Sequence, residues 1–259
     1  MKKLKILFYF VKEYLTVISL MIGVRGLFLL VNFKEAQDFN TNLILKSFIR
    51  GLIFDTSIIS YYLIGFILCF ILFRFFKSIY LEMFGKIFLK IYKVIVSAII
   101  FSLMFSDIRY YKEFNVHLDS STLNYVSHLK EIFFLGLKDR LAVILFIIFI
   151  FTEATYLIVS FKIFKNLEID EKELKSKYHF NFKVSPFKRF VDVILEIILC
   201  LTVATFCIFG ARGSFSKETL KLEKAYFSEN YFANQVSLNG VFALFKNIKN
   251  SKIKKLENI

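Results

Sequence analysis

Proline is nearly missing from this chain of 259 residues: only Pro186 is present. The proline- and glycine-broken helices of transporters are therefore not apparent, and neither are internal repeats. Cysteine is scarce too. Cys69, Cys200 and Cys207 all fall inside apolar blocks, and no CxxC pair occurs. This argues against a disulfide framework and a zinc site, and reads the three as small buried hydrophobes. Histidine is limited to His117, His128 and His179. The first two stand eleven residues apart beside Asp119 and Glu131, a spacing that fits no standard ligand pattern, so they read as exposed loop residues. No Ser-His-Asp order, glycine-rich phosphate loop or HExxH run is present, and the chain shows no recognisable active site. A net charge of +14 suggests nucleic acid, but no nucleic-acid-binding motif accompanies it. The basic residues sit mostly at helix ends, where the expected partners are the bilayer and its anionic headgroups.

What the chain has in excess is apolar length. Hydrophobic residues make up 57% of it, against about 45–50% in soluble domains. They are gathered into five blocks long enough to span a bilayer, which takes about 20 apolar residues. These run over 7–31, 51–73, 87–106, 141–161 and 190–209. The first is too long for a signal peptide, and no A-x-A-like cleavage pattern follows it. The pattern predicts an all-α polytopic membrane helix bundle of about five transmembrane helices over residues 1–212. An extracytoplasmic amphipathic linker segment over 213–259 follows. With the N-terminus inside, the inner flanks carry 17 Lys and Arg residues and the two outer loops carry 8. That bias predicts an inside N-terminus and, after five spans, an outside C-terminus.

Four of the charges inside the spans are the most informative. Arg25 sits about 9 Å below the outer end of the first and Asp55 about 6 Å below the outer end of the second, at 1.5 Å per residue. A lone charge at that depth is costly, so the two are expected to pair, as a structural lock or a headgroup contact. Glu153 and Glu196 both lie roughly 10–12 Å from the inner ends of spans four and five. They read either as a proton or cation relay, or as structural partners of Lys12, Lys90 or Lys93.

Several stretches together resemble the membrane portion of the lipoteichoic acid synthase and phosphoglycerol transferase group of the alkaline phosphatase/sulfatase superfamily. They are "GVRGLFLLVNF", "FIRGLIFDTSIISYYL", "FSDIRYYKEFNVHLDSSTLNYV" and "YFANQVSLNGVFALF", in the family's order and around its five-span count. The resemblance implies a bacterial cytoplasmic (inner) membrane protein. In the family the last stretch leads into an extracytoplasmic domain, which uses a threonine nucleophile and manganese or magnesium to transfer or hydrolyse phosphoglycerol esters. Only "SKIKKLENI" follows Asn250, so no catalytic residue and no cofactor can be carried over. The expectation is a membrane-anchoring module, non-catalytic by itself. The alternatives are a small transporter or channel-like protein using Glu153 and Glu196, and a scaffold for a separately encoded sulfatase-like enzyme.

From Leu220 onward apolar residues recur with helical spacing, flanked by lysines, and Asn239–Gly240 interrupts them. The segment is expected to lie along the outer membrane surface or to pack beneath a folded domain.

Overall fold

The chain is described here from a computed structural model covering residues 2–36, 39–75, 79–165, 186–213 and 219–257. Among these residues there are helices and no strands. The five apolar blocks become five long helices: α1 (Lys2–Val31), α2 (Thr41–Phe75), α3 (Ile79–Phe114), α5 (Arg140–Lys165) and α6 (Pro186–Arg212). Each is long and apolar enough to cross a membrane, and the protein is a multi-pass membrane protein. Among the described residues there are also three shorter helices, α4 (Leu129–Lys138), α7 (Tyr231–Ser237) and α8 (Gly240–Glu257).

Four helices start on an Asx cap. The side chains of Asn40, Asp139, Asn230 and Asn239 accept from the backbone N–H groups of Leu43, Leu141, Ala233 and Val241, at 2.7, 3.0, 2.9 and 2.9 Å. Each takes up a donor that the first turn leaves unpaired.

The centre of the bundle is α2, which packs against α1, α3, α6, α7 and α8. Its most apolar window is 44% buried within the protein, whereas that of α5 is 11% buried. The apolar face of α5, with Phe151 and Ile158 exposed, is therefore turned to lipid. The connection from α3 to α5 is not a bare loop. It holds a 3-10 turn (Ser120–His128) and α4, whose Ile132, Phe133, Phe134, Leu135 and Leu137 are all exposed, the composition of a helix that rests in a membrane interface.

The largest departure from expectation lies after α6. Part of the segment expected to lie along the outer membrane surface or beneath a folded domain is packed into the bundle. Residues Phe232 to Ser237 of α7 are all buried, and α7 packs on α2 and α1. α8 then crosses α3 and α2. The 212/213 boundary marks the end of the fifth span and not the limit of the packed interior. The reason is chemical: α7 presents backbone carbonyls and small side chains to a buried cation, so it docks by hydrogen bonds as well as by apolar contact. The basic segment between α5 and α6, with His179, Lys172, Lys175, Lys177 and Lys183, lies outside the described residues.

Candidate functional site

Two buried polar clusters lie at opposite ends of the bundle. The distal one sits where α1 ends and α2 begins, and Arg25 is at its centre. Arg25 and Asp55 form the expected pair, Nη2 to Oδ1 at 2.6 Å, with Arg25 5% exposed and Asp55 0%. The guanidinium does more than neutralise Asp55. It also donates to the Gly51 carbonyl at 3.2 Å, to the Leu238 carbonyl at 3.1 Å and to the Val236 carbonyl. The last two close the C-terminal turn of α7, where helix carbonyls lack intrahelical partners and a cation is favoured.

Asp55 in turn accepts from Asn239 Nδ2 at 2.7 Å, while Asn239 Oδ1 caps α8. One asparagine therefore ties the hinge between α7 and α8 to the acid on α2. Ser47 adds a further bond, donating to the Ala233 carbonyl at 3.0 Å.

A second arm comes from α3. Asp107 lies 2.7 Å from His117 Nδ1 and accepts from the Leu118 N–H at 2.9 Å. His117 Nε2 lies 3.0 Å from the Gln235 carbonyl. His117 is thus buried between Phe28 and α7, contrary to the exposed-loop reading, while His128 is exposed beside Glu131 as expected. The two ring nitrogens of His117 thus bridge the Asp107 carboxylate on α3 and a backbone carbonyl of α7. Two glycines permit the close approach. A Cβ on Gly51 would strike the Arg25 guanidinium, and one on Gly240 would strike the Asp107 carboxylate. Arg25 Nε and Asp55 Oδ2 are buried without a protein partner, and a cavity of about 20 Å³ adjoins the cluster, close to the volume of a single water site.

The other cluster lies toward the N-terminal end of α1. Glu13 and Lys93 are both 0% exposed and pair at 3.2 Å. Glu13 also accepts from Tyr62, Tyr156 and Ser160 at 3.0, 2.8 and 2.8 Å. Lys93 donates to Ser160 at 2.7 Å and lies over the rings of Tyr9, Phe66 and Phe164, 4.9–5.4 Å from their centroids. The ammonium so gains cation–π contact on its desolvated faces. This cluster binds α1, α2, α3 and α5 together, and nothing in it faces solvent. Lys93, named from the sequence among the partners of Glu153 and Glu196, is instead the buried partner of Glu13. Glu13 itself is an acid within the first span, and an intramembrane carboxylate of that kind is a signal the sequence carries.

Glu153 and Glu196 are not brought together. Glu153, on α5, accepts from Ser97 at 2.5 Å, and its other oxygen has no protein partner. Glu196 is half-buried on α6, which packs on α2 and α1, whereas α5 packs on α1, α3 and α4. Lys93, one of the proposed partners of these acids, is committed to Glu13.

Neither cluster leaves a free nucleophile beside a base. The hydroxyls of Ser160, Tyr62 and Tyr156 are all engaged with Glu13, and the polar groups of the distal cluster, all but Arg25 Nε and Asp55 Oδ2, are engaged with carbonyls and one another. No group of three or more His, Cys, Asp or Glu residues that could hold a metal occurs among the described residues. The arrangement is built to hold the chain beyond the fifth span in one place. No family model matches the sequence, and no curated protein or solved structure is significantly similar to it.

Proposed function

We propose that this chain is the membrane module of a cell-envelope enzyme system of the lipoteichoic acid synthase type, which anchors and orients a sulfatase-like catalytic domain without catalysing. One observation carries the reading: the stretches that resemble the family meet in one place. "GVRG" supplies Arg25, "RGLIFD" supplies Gly51 and Asp55, "FSD" supplies Asp107, and "SLNG" supplies Asn239 and Gly240; all are parts of the distal cluster. Weak motifs scattered over 216 positions have one physical task between them, which chance similarity does not require. That task suits an anchor. A flexible tether after α6 would let a catalytic domain tumble; a docked α7 and α8 fix the direction in which the chain leaves the membrane.

In this reading the chain sits in a bacterial cytoplasmic membrane with the distal cluster on the outer side, as the basic-residue bias suggests. The catalytic domain belongs either to a longer form of this chain or to a separate polypeptide, and any manganese or magnesium belongs to that domain.

The test uses Ser228→Cys in a chain whose three native cysteines are replaced by alanine. Cross-linking from this position on intact cells is expected to capture a sulfatase-like polypeptide or domain. The captured complex, with manganese, is expected to transfer phosphoglycerol from phosphatidylglycerol, while the purified chain alone does not. Turnover by the chain alone, or captured material without a sulfatase-like domain, overturns the proposal.

A further inference from the structure

A cavity of about 440 Å³ lies between α2, α3 and α8, within the size range of small-ligand sites. Its floor is apolar and aromatic, with Tyr62, Tyr92, Val96 and Phe242; its upper rim on α8 carries Lys246 and Lys249. Two features set its orientation. Tyr61 and Ile99, which also line it, belong to spanning segments and are 61% and 50% exposed, so the cavity is open sideways to the acyl-chain region. The lysines belong to α8, which starts from the distal cluster and lies outside the spans. The apolar part is thus reached from within the bilayer and the cationic part lies nearer its distal surface.

Lys246 and Lys249 stand one turn apart on the same face of α8, and neither lies within salt-bridge distance of a carboxylate among the described residues. Burial, with the Lys249 charge beside it, pushes the Lys246 ammonium below its ordinary range, and Lys221 adds to this. Glu223 opposes the shift but does not cancel it. Lys246 also lies 5.7 Å from the centroid of one lining ring, that of Phe242. Two like charges at the mouth of an apolar slot are relieved by an anion that brings its own apolar tail.

We propose that this cavity binds one anionic glycerophospholipid from the distal leaflet, an acyl chain lying on Val96 and Phe242 and the phosphate between Lys246 and Lys249. A zwitterionic lipid offers the same chain and phosphate, but its ammonium meets two lysines. The site is separate from the distal cluster and does not depend on the anchoring role. By spanning α8 and the α2–α3 seam, the bound lipid adds a bilayer-dependent contact to a helix otherwise held at its first turn by Asn239.

The experiment uses the full chain in nanodiscs containing phosphatidylglycerol or phosphatidylcholine, each with a trace of the same lipid carrying a photoactivatable acyl chain. Labelling is expected on peptides containing Val96 or Phe242, stronger with phosphatidylglycerol. Lys246→Gln and Lys249→Gln are each expected to lower the phosphatidylglycerol signal about fivefold, which corresponds to about 1 kcal/mol per basic residue at an anionic surface. Val96→Trp, which fills the floor, is expected to remove the label with either lipid while circular dichroism keeps its helical signal. Equal labelling by the two lipids, or labelling indifferent to both lysine changes, overturns the assignment. So does complete competition by inorganic phosphate, because a free-anion site needs no acyl chain. Loss of helicity in Val96→Trp transfers the decision to the lysine variants, whose substitutions lie on the partly exposed face of α8.

Discussion

The two buried clusters differ in what they bind together. In the Glu13–Lys93 cluster every partner is a side chain on a spanning helix, and both carboxylate oxygens are served. In the Arg25–Asp55 cluster the cation mostly serves backbone carbonyls, and those of Val236 and Leu238 lie more than 200 residues away in sequence. One cluster makes the bundle a unit; the other attaches to that unit a segment that could otherwise lie elsewhere. The first is closed, with rings around its ammonium. Each keeps buried polar atoms without protein partners, the Tyr9 hydroxyl in the first and Arg25 Nε and Asp55 Oδ2 in the second.

The largest effect is expected at Lys93. Lys93→Met strands Glu13 in the interior and should lower stability by about 3–5 kcal/mol, measured by thermal unfolding in detergent. The double change Glu13→Gln with Lys93→Met should recover much of that loss. If the double variant is as damaged as the single, the two residues are not energetic partners.

Next comes Arg25. Arg25→Ala removes charged hydrogen bonds worth about 1.5–3 kcal/mol each when unreplaced, but its main consequence is local: α7 should come away while the bundle stays folded. Ser237 is fully buried, so a cysteine placed there should react with a maleimide only in the Arg25→Ala background. Asp55→Ala, which leaves Arg25 its carbonyls, should release α7 less. Equal release by the two variants would mean that the ion pair, and not the carbonyl contacts, holds the segment.

Smaller again is Gly240→Ala. The new methyl group meets the Asp107 carboxylate, and overpacking of this kind costs about 1–3 kcal/mol. It should loosen Asp107 from His117 and speed hydrogen exchange at Leu118, whose N–H donates to Asp107. Gly136→Ala has open space around its Cβ and serves as the control.

The smallest effect is a pH effect at the α4–α5 corner, away from both clusters. The Asp139 carboxyl is held below its ordinary range, first by its hydrogen bond from Arg109. A depressed carboxylate stabilises the fold above its unfolded pKa, and the contribution is lost as pH falls through the folded value. The partners are partly exposed, so the loss should be under about 1 kcal/mol, seen as faster exchange at Leu141 in acid. Arg109→Ala should flatten that dependence.

Much of this was readable from residue order. Five apolar blocks without proline must be spanning helices, because a bilayer leaves backbone groups no partner outside a helix or closed barrel. Arg25 and Asp55 could be paired from depth alone, since helices joined by a short turn bring equal depths together. Glu13 was equally legible as an acid inside a span, and the neighbouring Lys12, exposed in the fold, hid it as an ordinary flank residue. The separation of Glu153 from Glu196 was not legible, because equal depth says nothing about which helices touch.

What sequence by itself determined is therefore the class and the inventory: a helical membrane protein, its span positions, and the charges that had to find partners. Only tertiary structure decided which partners they found. Depth along a helix follows from counting residues at a fixed rise, but azimuth and neighbour choice follow from packing. The same limit applies to the segment after α6. Its amphipathic pattern showed that one face had to be covered, and lipid or protein could each cover it. The covering surface was decided by Arg25, whose unspent donors reach the carbonyls of α7 only once α1, α2 and α3 are assembled around them.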